Sequence, residues 1–319
     1  MTTRAIRSHG SQRLFEVRDY DLDATLLSGQ AFRWKQFDTR WHGVIGQHWV
    51  ALKGVPKGIF AETAQPSPYW GWLSHYLQIE ADLPRILKTF PDDPVLRQAV
   101  SRCQGLRLLR QDPWECLASF ILSSTKQIVQ IQQIVALLCE RFGEEVSGPA
   151  GEQTHAFPTP DRLARCSEGE LRGCRMGFRA PYLRETAQRI AGREIDLGSI
   201  AALPVEKARA LLMELPGVGR KIADCVLLFA YGFSSVFPID AAFPGFVAGR
   251  LPHLYFRGLL KLHSRYGPLD RSAAQSGLCH EASAQSVTQP SRSSATRSID
   301  NSPGGTFLHW CYAPSGRTE

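Results

Sequence analysis

Between Ala31 and Lys53 large apolar or aromatic residues alternate with polar ones in three runs: Ala31 to Phe37, Trp41 to Ile45 and His48 to Lys53. Asp38, Gly46 and Gly54 punctuate them, and period-two texture broken by turn residues predicts an antiparallel meander. The meander ends near Gln65-Pro66-Ser67-Pro68. From about Tyr76 to about Tyr231 the apolar spacing becomes helical. Asp112-Pro113-Trp114-Glu115 has the layout of a capping box with proline at the first helical position, and predicts a helix to about Ser124. Ile128, Ile131, Ile134, Val135 and Leu138 mark a second amphipathic helix. Arg179 to Gly192, Pro204 to Glu214 and Gly219 to Phe229 continue the series. After Leu269 the chain turns to Ser, Ala, Gln, Thr and Arg, which bury too little surface to offset ordering entropy. The expectation is an α+β chain. An antiparallel β-containing domain spans 1–105, a helical bundle 106–268, and a Ser-rich, disordered C-terminal tail 269–319.

Composition narrows the partners. The 319 residues carry a formal charge of +7, which favours a polyanion, because cations that neutralise phosphates gain affinity by releasing counterions. The eight cysteines are scattered with no C-x-x-C pair, so neither a zinc nor an iron–sulfur site is expected and no cofactor is called for. No apolar run is long enough to span a membrane, and Met1 to Gly10 lacks the apolar stretch of a secretory signal. The expectation is an intracellular protein with free thiols.

Candidate chemistry concentrates in Leu215-Pro216-Gly217-Val218-Gly219-Arg220-Lys221, between two predicted helices. Gly217 and Gly219 around Val218 permit a tight turn and bring backbone N–H groups to an anion, while the next helix adds positive partial charge at its start. That is the helix-hairpin-helix pattern, which grips DNA backbone without reading sequence. Lys221 falls two residues into the second helix, where the macrodipole disfavours an ammonium, and a neutral amine is a nucleophile. Nineteen residues on, Phe237-Pro238-Ile239-Asp240 offers Asp240 as a helix cap and a nearby carboxylate. Such a pair suits departure of a base from a sugar: the carboxylate stabilises an electron-poor C1′ and the amine captures it.

Three further strings accompany the hairpin: Ser28-Gly29-Gln30-Ala31-Phe32-Arg33-Trp34; Gly105-Leu106-Arg107-Leu108-Leu109-Arg110-Gln111-Asp112-Pro113, leading through Cys116 and Phe120 to Ser123-Ser124; and Met176-Gly177-Phe178-Arg179-Ala180. Over roughly residues 12 to 240 the chain resembles the 8-oxoguanine DNA glycosylase/AP lyases of the helix-hairpin-helix superfamily. The resemblance implies that the Gly29 carbonyl accepts from N7–H of 8-oxoguanine, where guanine presents an acceptor. It implies that Cys225, one turn after Lys221, lines the base pocket. Phe178 would be the wedge filling the gap left by the flipped base, and Arg179 the contact to the orphaned cytosine. Most of the second string reads as capping and packing.

The chain departs from the family in places. Thr125 and Gln130 stand where eukaryotic members carry an asparagine and an arginine toward the orphaned cytosine, and Ala242 replaces a histidine. The family's closing helix, with its glutamine and phenylalanine, is not legible after Gly267-Pro268; a frameshifted or truncated C-terminus would explain this. The expected partner is damaged double-stranded DNA, bound by a monomer with no membrane association, and the lack of an import signal favours a bacterial cytoplasm over a eukaryotic nucleus. Alternatives are a related glycosylase for another damaged purine or a catalytically impaired DNA-binding protein. Lys221 argues against monofunctional relatives, and the cysteine spacing against an endonuclease III-like enzyme.

Overall fold

A computed structural model describes residues 11–90, 92–124, 126–236 and 238. The expectations for Thr125, Asp240, Ala242 and the tail 269–319 lie outside these residues. Five strands form one antiparallel sheet in the order β1-β5-β4-β3-β2: β1 Ser11–Glu16, β2 Lys35–Phe37, β3 Arg40–Ile45, β4 His48–Val55 and β5 Gly58–Thr63. Helix α1, Leu22–Leu27, follows β1 and is capped by Asp21, whose carboxylate accepts from the Ala24 N–H at 2.7 Å. β4 is buried on both faces. Val50 and Leu52 join Phe15, Trp41, Ile59 and Ala61 on one side, while Trp49 and Ala51 meet Val44, Val146 and Ala156 on the other.

The expected run Ala31 to Phe37 is a strand only from Lys35. Before it the chain loops from Gly29, at φ +74°, and its two aromatic rings go to different cores. Trp34 enters the sheet core and donates from Nε1 to the Tyr76 hydroxyl at 2.9 Å. Phe32 enters the helical core, edge-on to Phe120 with ring centroids 5.7 Å apart. Period-two spacing therefore reflects two destinations rather than one pleated surface.

The rest is helical: α2 Gly71–Leu77, α3 Leu83–Leu87, α4 Pro94–Arg102, α5 Pro113–Ser123, α6 Ile128–Phe142, then α7 Pro160–Ala164, α8 Glu168–Arg172, α9 Ala180–Ala191, α10 Val205–Met213 and α11 Arg220–Val226. A short hairpin, β6 Glu145–Ser147 with β7 Gln153–His155, interrupts the series and covers the second face of β4. A purely helical reading of this region is thus corrected; Gly148-Pro149 and Gly151 were the turn signals for it. α5 is buried almost all round, as a central helix must be. Its expected capping box is only half formed. Asp112 accepts from the Glu115 N–H at 2.8 Å, but the Glu115 carboxylate pairs with Arg33 at 3.3 Å. Burial raises the Glu115 pKa, partly offset by Arg33, and the pair ties the loop after Gly29 to α5. Among the described residues no helix is long and apolar enough to cross a membrane.

Candidate active site

α10 and α11 are joined by Leu215 to Gly219, with Leu215 and Val218 buried and the Val218 N–H donating to the Leu215 carbonyl at 3.1 Å. Gly217 sits at φ +74°, a conformation that strains any residue with a Cβ. Gly219 has ordinary extended φ, and a Cβ there would meet no atom of the described residues within 4 Å beyond its chain neighbours. Its lack of a side chain is therefore unexplained by internal packing and leaves the outer surface of the turn open. Two buried charges staple the helices behind it: Arg209 of α10 donates to Asp224 of α11 at 2.6 Å, and also pairs with Glu206.

Lys221 is the second residue of α11 and is partly buried; Cys225 follows one turn later, fully buried. Beside Cys225 lies Cys116 of α5, whose thiol burial pushes well above the ordinary range. Beyond Val226 the helix widens into a π-turn over Leu227–Tyr231 and stops at Gly232, in the left-handed region. There the Phe229 ring stacks on Phe120 at 5.6 Å, which in turn touches Phe32. The loop carrying Gly29 and the helix carrying Lys221 and Cys225 thus share one aromatic core.

The third piece is the turn before α9. Arg175 and Gly177, at φ +64° and +60°, flank buried Met176 and project Phe178 outward. Phe178 is 59% exposed, whereas Arg179 is only 3% exposed. The guanidinium lies 4.3 Å from the Phe178 ring centroid and donates to the Ser124 carbonyl at the end of α5. This inverts the ordinary burial of a phenylalanine and an arginine. Tyr182, on the first turn of α9, packs against the backbone of Gly217, so the helix that follows the turn bearing Phe178 touches the hairpin.

Gln130 is exposed and its side-chain oxygen accepts from the Gln127 N–H at 3.1 Å, a cap for α6. Asp240 lies outside the described residues, so its pairing with Lys221 is not seen. Sequence reasoning passed over Tyr182 and the Arg209–Asp224 pair; the hairpin glycine at 217 and the opposite charges on two adjoining helices were their only signals.

Residues 14–117 match the family model for the 8-oxoguanine DNA glycosylase N-terminal domain, and residues 118–252 that for HhH-GPD superfamily base excision DNA repair proteins. A probable N-glycosylase/DNA lyase of Methanothermobacter thermautotrophicus is 31% identical over 70% of this chain and 80% of that protein. The chain belongs to the 8-oxoguanine DNA glycosylase family. An Arabidopsis thaliana member, an N-glycosylase/DNA lyase, is 33% identical over 69% of this chain, which spans 63% of that longer protein. The Clostridium acetobutylicum 8-oxoguanine glycosylase/lyase, solved with double-stranded DNA containing cytosine opposite 8-oxoguanine, superposes with a TM-score of 0.68. The superposition covers 84% of this chain and 96% of that one at 27% identity.

Proposed function

We propose that this protein is a bifunctional DNA glycosylase/AP lyase of base excision repair that flips 8-oxoguanine out of duplex DNA and removes it. The observation that carries the reading is Lys221 at the start of α11, directly behind a hairpin whose Gly219 leaves its outer surface open. The β-containing domain over 1–105 reads the lesion; the helical domain over 106–268 grips DNA and performs the chemistry. The protein works as a monomer on damaged duplex, in a bacterial cytoplasm.

In the reaction the hairpin N–H groups of Gly217, Val218 and Gly219 hold a backbone phosphate. Phe178, already projecting, enters the stack as the base leaves it. The flipped base seats against Cys225, with its N7–H donated to the Gly29 carbonyl. The bond from C1′ to the base then breaks with the electron pair going to the base, and Asp240 stabilises the positive charge on the sugar. The Lys221 amine forms the new bond to C1′, the sugar ring opens, and a protonated Schiff base results. Loss of a proton from C2′ expels the 3′ phosphate by β-elimination, and water releases the lysine.

Arg179 is held by Ser124 and Phe178, so in this reading it braces the wedge and meets the orphaned cytosine on release from Ser124. Thr125 and Gln130 contribute the remaining contacts on that strand.

Borohydride trapping on duplex containing 8-oxoguanine opposite cytosine tests the reading. A covalent complex formed by the wild-type chain and lost in Lys221→Gln is expected. DNA binding with neither trapping nor base release would favour a non-catalytic DNA-binding protein, and trapping retained in Lys221→Gln would move the nucleophile elsewhere.

A further inference from the structure

The Gly29 carbonyl belongs to the peptide that ends at the Gln30 N–H, so whatever immobilises Gln30 fixes the direction in which that carbonyl points. Gln30 is wholly buried, and its side-chain amide is saturated. Nε2 shares its two N–H donors among the Thr25 carbonyl at 2.9 Å, the Ser28 hydroxyl at 3.1 Å and the Arg107 carbonyl at 3.1 Å. Oε1 accepts from the Leu109 N–H at 2.8 Å. Its backbone carbonyl accepts from Nε2 of Gln111 at 2.5 Å.

Gln111 faces the other way as well. Its backbone N–H donates to the Phe229 carbonyl at 2.9 Å, and the neighbouring Arg110 guanidinium donates to the Leu228 carbonyl at 3.1 Å. Both acceptors lie in the π-turn that continues α11, the helix of Lys221 and Cys225. A single residue therefore bonds the Gly29 loop with its side chain and the nucleophile-bearing helix with its backbone. Buried amide networks of this kind are rigid because each broken bond leaves a desolvated polar group.

We propose that Gln30 and Gln111 are positioning residues that set the Gly29 carbonyl in register with the helix carrying Lys221 and Cys225. The lock rests on the lesion-reading role given to Gly29 above. It couples recognition to chemistry: an N7–H donor is accepted at the one orientation from which C1′ is presented to the amine. Small errors of placement in such a constellation cost rate steeply.

Gln111→Met removes the side-chain bond and keeps the backbone bond to Phe229. The ratio of 8-oxoguanine excision to borohydride trapping on preformed abasic duplex falls by about tenfold or more, since the abasic substrate has no base to orient. A merely structural role lowers both rates together and leaves the ratio unchanged, which would overturn the lock. Gln111→Glu, of the same shape, turns a carboxylate oxygen toward the Gln30 carbonyl and lowers the ratio at least as far, so the test survives if the methionine variant does not fold. Failure of the wild-type chain to trap on either duplex overturns the Lys221 reading instead. The lock is then read as binding preference for 8-oxoguanine over guanine duplex, and a preference unchanged in both variants refutes it.

Discussion

The ring of Tyr182 occupies the space that a side chain at Gly217 would need, with Cδ2 3.0 Å from the position of a Cβ there. The hairpin therefore takes its shape from α9 as much as from its own sequence. Gly217→Ala meets both this ring and a left-handed backbone, and should destabilise the protein by about 1–3 kcal/mol while weakening duplex binding. Gly219→Ala meets no atom of the described residues beyond its chain neighbours. It should leave the unfolding midpoint nearly unchanged and still weaken duplex binding. Thermal unfolding and binding assays on both variants make the comparison; equal stability losses would deny Gly219 its outward role.

Arg209 and Asp224 form the buried pair behind the hairpin, with side chains 8% and 3% exposed. Removing Asp224 leaves the buried guanidinium only the exposed Glu206 as a partner. Asp224→Ala should cost about 1–3 kcal/mol in urea unfolding, whereas the double replacement Arg209→Met with Asp224→Leu should recover most of that loss. A double variant as unstable as the single would show that the pair is more than a spacer between α10 and α11.

Phe178 contributes little to the folded core, being 59% exposed. Phe178→Ala should change stability by less than about 1 kcal/mol, in line with surface substitutions. Excision of 8-oxoguanine from duplex should fall at least about tenfold while trapping on abasic duplex falls less, since no paired base must be extruded there. Equal losses on the two substrates would remove the wedge assignment.

Much of this arrangement was legible from periodicity and caps. The helix begun by Asp112, the apolar stripe of α6 and the hairpin before Lys221 all stand where local rules put them, because each is specified by neighbours in sequence. The segment from Ala31 to Trp34 was misread as strand. Its conformation is imposed by Gln30, whose partners are as distant as Leu109, and by Phe32, which packs into a different core from Trp34. Glu115 was taken for a capping residue because its spacing from Asp112 is right, yet Arg33, 82 positions away, holds its carboxylate. Likewise the Arg110-Gln111 pair reads as packing until its two directions of bonding are seen.

The outward Phe178 and inward Arg179 bear on how a repair protein scans DNA. The exposed ring packs on a guanidinium that is itself anchored to the Ser124 carbonyl, which restricts its rotamers before any encounter. Each contact with an intact base pair then costs little further entropy, and so can be brief. In the proposed wedge role, a ring set in place beforehand suits a molecule that must reject many sound bases for each damaged one, since the time spent per base pair is not spent rearranging the protein.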